Sequence, residues 1–121
     1  MQLVRLYEDD RGESHFEELE VALAPKVFAP PAPAVEVSAP YEARRVVFLQ
    51  IPVDWLGEWH PSPKRQIWLG LRGALRVTTS DGETRTIPAG TAWLMEDKTG
   101  KGHASVSIGG EPAVGAVIEL E

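Results

Sequence analysis

The sequence predicts an all-β fold, and three kinds of observation indicate it. Val, Ile and Phe are concentrated in short runs such as ARRVVFLQIPV at 43–53, and these residue types favour a pleated strand. Turn signals separate the runs, including the Asp-Gly pair of SDGE at 80–83 and the GGEP stretch at 109–112. Short strands with turns at near-regular spacing are typical of a sandwich or barrel.

The strand pattern continues to the end of the chain. The runs that we expect to be strands are IWLGLRGALRVTT at 67–79, TRTI at 84–87, TAWLME at 91–96, HASVSI at 103–108 and AVGAVIEL at 113–120. Gly70 and Gly73 interrupt the first of these runs, and glycine there suits a bend or a close backbone approach better than a helix interior.

The first forty residues allow more than one interpretation. MQLVRLYE at 1–8 reads as a strand, but SHFEELEVALA at 14–24 is ambiguous. Ser14 with Glu17 forms a capping-box pattern for a helix, whereas the alternation of apolar side chains after residue 18 favours a strand. We expect the strand. The proline content of residues 24–40 excludes a helix.

Length and composition bound the organisation and the partners. A chain of 121 residues predicts one domain over 1–121, with N-terminal strands and a proline-rich covering arm at 1–40 and a barrel at 41–121. The net charge of −6 and the pI near 5.1 argue against nucleic acid or an anionic membrane surface as a partner.

Cysteine usage and hydropathy restrict the kinds of site that the chain can form and indicate its cellular compartment. The absence of cysteine excludes disulfides, thiolate nucleophiles and cysteine-ligated metals, so any metal needs nitrogen and oxygen ligands. No apolar run is long enough for a membrane helix, and the N-terminus lacks a basic segment followed by an apolar one. We therefore expect a soluble, cytoplasmic protein.

The segment EWHPSPKRQ at 58–66 carries a resemblance to a known family. His60, Ser62, Gln66 and Gly73 fall at the offsets of the first cupin motif, G(x)5HxH(x)3-4E(x)6G. The sequence over residues 58–120 resembles a small cupin, but two of the three usual ligand positions are changed, to Ser62 and Gln66. The opening glycine of the motif has no match, because position 54 is Asp54.

The second cupin motif, G(x)5PxG(x)2H(x)3N, has two alignments. The first begins at Gly82 with perfect spacing through PAG and places Trp93 at the ligand histidine. The second begins at Gly90, needs a longer loop and places His103 there. We prefer the second alignment, because a cupin's ligand histidine opens the strand that leads through a turn into the last strand.

The resemblance implies a cupin-type double-stranded β-helix, that is, a jelly-roll barrel with an extended N-terminal arm and a pocket between its sheets. The chain is similar to short bacterial cupin-domain proteins with an incomplete metal-ligand motif. The resemblance also implies a homodimer, to which the N-terminal strand can contribute by pairing with a neighbour.

Strand alternation predicts a cluster of polar groups in this pocket. Glu58, His60 and Ser62 should share one face, while His103 opens a separate strand. We expect His60 and His103 to act as general acid and base near neutral pH, with Glu58 as a third catalytic residue. The residues expected to bind substrate are Ser62, Arg65, Gln66, Trp68 and Trp93.

A metal is an open alternative at this site. His60, Gln66 and His103 could hold a divalent ion such as Zn, Fe, Ni or Mn. Because Gln66 lacks the charge of the glutamate that it replaces, we expect weaker binding than in a complete cupin site. A metal-free site is the other interpretation.

The leading functional hypothesis is a small-molecule enzyme of the cupin type. Proton transfer by His60 and His103 suits isomerisation, epimerisation, dehydration or cyclisation of a small carbonyl compound. The alternatives are a non-catalytic small-molecule-binding cupin and a metal-dependent dioxygenase. A barrel that serves only as an assembly part would instead have its interior filled by side chains such as Trp68 and Trp93.

Overall fold

The computed structural model describes all 121 residues and contains strands throughout, as the sequence predicts. The strands are β1 (Gln2–Glu8), β2 (Ser14–Glu20), β3 (Ala24–Lys26), β4 (Val35–Val37), β5 (Ala43–Ile51), β6 (Leu56–His60), β7 (Gln66–Arg72), β8 (Ala74–Thr79), β9 (Thr84–Pro88), β10 (Ala92–Met95), β11 (His103–Ile108) and β12 (Ala113–Leu120). The chain contains no helical segment with the length and hydropathy that crossing a bilayer would require.

The strands form two main sheets that face each other across the core. The larger sheet has six strands in the order β2-β1-β10-β7-β12-β5, and the smaller has four in the order β6-β11-β8-β9. Neighbours are antiparallel except β1 and β10. The core cluster between the sheets contains Leu6, Phe16, Trp68, Leu75, Val77, Ile87, Trp93, Met95 and Ala113. This arrangement confirms the predicted jelly-roll architecture.

The ambiguous segment after residue 13 is a strand. β2 pairs with β1 along its full length, from Gln2 opposite Glu20 to Glu8 opposite Ser14. Phe16 enters the core, so burial of this face outweighs the helical capping pattern. The SDGE stretch forms the turn between β8 and β9, which pair from Ala74–Pro88 to Thr78–Thr84, as the Asp-Gly signal predicts.

The proline-rich segment differs from the expected covering arm. Residues 24–37 form their own two-stranded hairpin, β3 with β4, which joins neither main sheet. Its side chains are exposed, apart from partial burial of Val37. Its prolines lack the N–H groups that a sheet ladder needs. β1 and β2, by contrast, belong to the larger sheet, so the barrel is not confined to residues 41–121.

His15 connects the ends of the two main sheets. Its Nε2 lies 2.8 Å from a carboxylate oxygen of Asp9 in the β1–β2 turn, and its Nδ1 lies 2.9 Å from Asp81 in the β8–β9 turn. The hydrogen bond with Asp9, together with that of Asp81, raises the pKa of His15 above its ordinary value of 6.5, although burial opposes the shift. When protonated, the ring can donate a hydrogen bond to each of the two carboxylates.

We predict that folding stability decreases as the pH rises through the raised pKa of His15. A group whose pKa is higher in the folded than in the unfolded state stabilises the folded protein. This stabilisation is complete at a pH below the unfolded-state pKa and is lost as the pH rises through the folded-state pKa. Asp9 and Asp81 have lowered pKa values, so their contributions to folding stability change only at acidic pH. Urea unfolding at about pH 5.5 and pH 8.5 should show a larger midpoint difference for the wild type than for His15→Gln. Equal differences in the two proteins would contradict the bridge.

Candidate functional site

The two histidines that were predicted to share a site lie side by side. β6 and β11 are antiparallel neighbours, and His103 is directly opposite His60 in their register. The ring centroids are 4.8 Å apart, with planes inclined at 54°. His103 is 2% exposed, whereas His60 is partly exposed. The pair therefore has one buried and one accessible imidazole.

Glu58 does not take the position that alternation predicted for it. The register of β6 and β11 shifts between His103 and Ser105, so that Ser105 pairs with Gly57 while His103 pairs with His60. This bulge places an extra residue in β6 and breaks the period-two pattern. The Glu58 side chain is exposed, and its connection to the site is through its backbone carbonyl, which lies 2.5 Å from His60 Nδ1.

A buried carboxylate holds the deeper histidine. Asp97 is fully buried, and its Oδ2 lies 2.6 Å from His103 Nδ1. Its other oxygen accepts a hydrogen bond from Ser62 Oγ at 2.8 Å, and the Ser62 amide donates to the Asp97 carbonyl at 2.9 Å. Ser62, which sequence reasoning assigned to substrate, is thus buried beside Asp97 and fixes its orientation.

These hydrogen bonds determine which ring nitrogens are available. A carbonyl oxygen can only accept, so His60 Nδ1 carries the proton that it donates to Glu58. An ionised Asp97 likewise requires His103 Nδ1 to donate. In the neutral form of each ring, Nε2 is then the basic nitrogen. Asp97 was not among the predicted site residues, although the alignment of the second cupin motif that begins at Gly82 places Asp97 at the motif's asparagine.

The two tryptophans expected to bind substrate are core residues, and this filled interior is the arrangement expected of a barrel that serves only as an assembly part. Trp68 and Trp93 are each 3% exposed and pair opposite each other in β7 and β10. The Trp93 ring meets the His103 ring edge-on, with centroids 5.5 Å apart, and its buried Nε1 has no hydrogen-bond partner. Three surface cavities, of about 180 to 550 Å³, are lined by neither of the site histidines.

Gln66 has a neighbour other than the histidines. Its Nε2 lies 3.8 Å from the sulfur of Met95, which is opposite it in β10. The structure therefore gives Gln66 no hydrogen bond to His60 or His103.

Arg65 is held in an ion-pair network. Its Nε donates to Glu96 at 2.5 Å, and Glu96 also accepts from Arg5. Burial favours a higher pKa for Glu96, but the hydrogen bonds and charges of Arg65 and Arg5 outweigh it and lower the pKa. The guanidinium of Arg65 is thus partly engaged within the protein.

The donor groups do not fit a complete metal site. Nowhere in the chain do three His, Asp or Glu side chains come together in a way that could hold a metal ion. Asp97, the nearest carboxylate to the histidines, uses both oxygens on Ser62 and His103. A metal at His60 and His103 would depend on the neutral Gln66 for a third ligand, which makes the expected affinity low.

We predict that Gly102→Ala disturbs the histidine pair. Gly102 has a φ of +75°, and a Cβ there would collide with the backbone of His60 and Pro61. Gly109 has a φ of +88° but open space around it, so Gly109→Ala introduces the backbone strain alone. The melting temperature of Gly102→Ala should be at least about 5 °C below that of Gly109→Ala. Equal melting temperatures would show that β6 and β11 tolerate separation at His60.

Comparison with known proteins bears on the fold. A scan against protein-family models found no match, and a search of curated proteins also found none. Among solved structures, the chain is similar to the cupin domain of Cnp3 from Schizosaccharomyces pombe, with a TM-score of 0.50, 12% sequence identity, and coverage of 100% of this chain and 83% of that chain. At this identity the likeness concerns the fold alone. Together with the two-sheet architecture, it identifies the chain as a small domain with the cupin fold.

Proposed function

We propose that the chain is a small-molecule enzyme that transfers protons through His60 and His103 without a metal. The observation that carries this proposal is the buried hydrogen bond between Asp97 and His103 Nδ1, at 2.6 Å. A carboxylate on one ring nitrogen fixes the tautomer and stabilises the imidazolium that forms when the other nitrogen accepts a proton. A second imidazole lies next to it, with ring centroids 4.8 Å apart.

In this proposal one imidazole acts as the general base and the other as the general acid. Because His103 is 2% exposed, this proposal requires the loops beside His60 to move and admit the substrate. His103 Nε2 then removes a proton from carbon next to a carbonyl, and the positive charge is stabilised by Asp97. His60, which is partly exposed, enters the step as the imidazolium and donates its Nε2 proton to the carbonyl oxygen, to the opposite face of the enol carbon, or to a hydroxyl group that leaves as water. In isomerisation the reverse transfers reset both rings, and in the other reactions proton exchange with water does so. These proton transfers would serve isomerisation, epimerisation, dehydration or cyclisation.

The site is unsuited to acyl transfer through serine. Ser62 Oγ donates its hydrogen bond to Asp97, so the hydroxyl lies on the carboxylate side of the histidine and not at its Nε2. A serine nucleophile requires the histidine as its base. Ser62 is therefore a positioning residue for Asp97.

The surroundings of His103 support a polar ligand. The Trp93 ring touches the His103 ring, and its buried indole N–H has no acceptor within the chain. Buried polar groups in proteins are satisfied by protein atoms, water or ligand. A substrate oxygen that reached His103 after movement of the loops beside His60 would supply the missing acceptor.

Deuterium exchange tests proton transfer without knowledge of the full reaction. Small ketones, 2-oxo acids and ketoses are incubated with the protein in D₂O, and loss of α-proton signals is followed by NMR. We expect exchange in at least one compound class, with rates about 10²- to 10⁴-fold lower in His103→Ala. His60→Ala should also lower the rate, whereas His15→Ala, which removes a histidine outside the site, should not.

Two results would contradict this proposal. One is the absence of exchange in every compound class, and the other is an equal rate for His103→Ala and the wild type. A chelator should leave the rate unchanged, and metal analysis should find far less than one ion per chain. Stoichiometric metal together with loss of exchange on chelation would support the dioxygenase or another metal-dependent alternative.

A second candidate function is self-association through the larger sheet. Registered rows of apolar side chains cross its outer face: Leu94, Ile67, Ile118 and Val46 form one row, and Ala92, Leu69, Ala116 and Phe48 form the next. Such a sheet ordinarily presents alternating polar residues to water. Leu94 is buried in a second apolar cluster with Leu3 and Leu120, but Phe48 is 77% exposed and Leu71 is 65% exposed. The part of this outer face around Phe48 and Leu71 is therefore uncovered in the single chain.

The polarity of the outer face suits a second copy of the chain. At roughly 100 Å² of apolar surface per side chain, the exposed parts of Val46, Phe48, Leu69 and Leu71 offer about 230 Å², which would form the apolar centre of a larger interface. A standard interface buries about 800 Å² per partner, and about 65% of a homodimer interface is apolar. Two copies related by a twofold axis would bury the same uncharged patch on each side.

We predict that Phe48→Asp prevents this association. Burial of an unpaired carboxylate in an apolar interface is unfavourable, so the variant should sediment as a monomer where the wild type sediments as a dimer. Phe28→Asp is the matched control, because Phe28 is 69% exposed on the proline-rich hairpin and not on the sheet. A monomeric wild type at about 100 μM, or a dimeric Phe48→Asp, would count against the outer face as an interface.

A further inference from the structure

A cleft at one end of the larger sheet concentrates positive charge. It has a volume of about 550 Å³, within the usual range for small-molecule sites. Five cationic side chains from three separate segments line it, namely Arg44, Arg45, Lys64, Arg65 and Lys98. The whole chain has 12 Lys and Arg residues and a net charge of −6. The fold thus collects much of its positive charge at one place in an acidic protein.

The carboxylates around the cleft leave part of this charge unpaired. Arg45 pairs with Glu119 and Arg65 with Glu96, but Arg44 is 3.6 Å from Glu121. Lys64 and Lys98 form no ion pair within the chain, and both are exposed. Two ammonium groups and a loosely paired guanidinium therefore remain for an external anion.

The cationic side chains of the cleft affect the pKa of Glu119. A hydrogen bond from Arg45 is the main cause that lowers the pKa of Glu119, and the charges of Lys64 and Arg44 act in the same direction. Positive potential in the cleft favours the charged form of a carboxylate that lies there. The same potential favours binding of an anion from solution.

We propose that this cleft binds the phosphate group of a small molecule. A phosphate dianion matches the two unpaired lysines, and Arg44 can add a bidentate contact to it. The cleft is larger than an inorganic phosphate ion, which leaves room for an organic portion. The overall negative charge of the chain disfavours long nucleic acids, which need an extended basic surface.

The cleft is connected to the histidine site through the chain. Lys64 follows Ser62 by two residues, and Lys98 follows Asp97 directly. The two loops that bury the Asp97 carboxylate therefore also present the free ammonium groups on their outer side. The binding proposal rests on the charges of the cleft and holds whether or not proton transfer occurs.

Calorimetric titration of the full chain tests this inference. Inorganic pyrophosphate and inorganic phosphate are the phosphate probes, and succinate is a dicarboxylate of equal charge to the phosphate dianion. We expect saturable binding of pyrophosphate that weakens with added salt. Lys64→Ala and Lys98→Ala should each weaken it by about tenfold.

Lys101→Ala provides the matched control. Lys101 lies in the same loop as Lys98 but pairs with Glu13 and does not line the cleft, so its removal lowers the net charge equally. Pyrophosphate affinity should be unchanged in this variant. If Lys98→Ala and Lys101→Ala weakened pyrophosphate binding equally, the cause would be the change in net charge, and the proposal would be overturned. Succinate binding as tight as that of inorganic phosphate, or no saturable binding of pyrophosphate, would also overturn it.

Discussion

The buried Asp97 carboxylate is the constraint on which the candidate site depends. An ionised carboxylate removed from water is destabilising by several kcal/mol unless it is paired and hydrogen-bonded. Ser62 and His103 satisfy its two oxygens, and this requirement holds the loop after β6, the loop after β10 and the start of β11 together. The orientation of His103 follows from the same contacts, so stability and candidate chemistry share one set of atoms.

The filled interior limits where a ligand can contact the protein. Trp68 and Trp93, with the aliphatic side chains around them, occupy the space between the sheets. Accessible surface near the histidines is therefore supplied by His60 at the end of β6 and by the loops beside it. The same loops line the cationic cleft. Chemistry and anion recognition would thus meet at the edge of the sandwich, while the apolar outer face of the larger sheet remains available for assembly.

Sequence reasoning succeeded where one local pattern dominated. The SDGE turn, the strand at 113–120 and the start of a strand at His103 all lie where residue pattern and turn chemistry agree. The choice of His103 over Trp93 as the partner of His60 rested on topology, and the structure places His103 opposite His60 while Trp93 lies in β10. Spacing alone had favoured Trp93, because a spacing rule assumes that loops keep their length.

The failures have specific physical causes. Alternation placed Glu58 on the face of His60, but the bulge between β6 and β11 moved it outward, and a bulge has no reliable signature in a single sequence. The role of Asp97 depends on a contact with Ser62, 35 residues earlier. The proline-rich segment was expected to cover the barrel, yet it forms a separate exposed hairpin, because proline content excludes a helix without specifying what the segment contacts.

The sequence by itself determined the all-β class, most strand positions and the two histidines as the residues to examine. These properties depend on local periodicity and turn chemistry, which are written in consecutive residues. Only the tertiary structure decided that Asp97 holds His103, that two tryptophans fill the interior, and that cations from three segments line one cleft. Each of these depends on contacts between residues far apart in the chain, and their distances are set by the packing of the sheets.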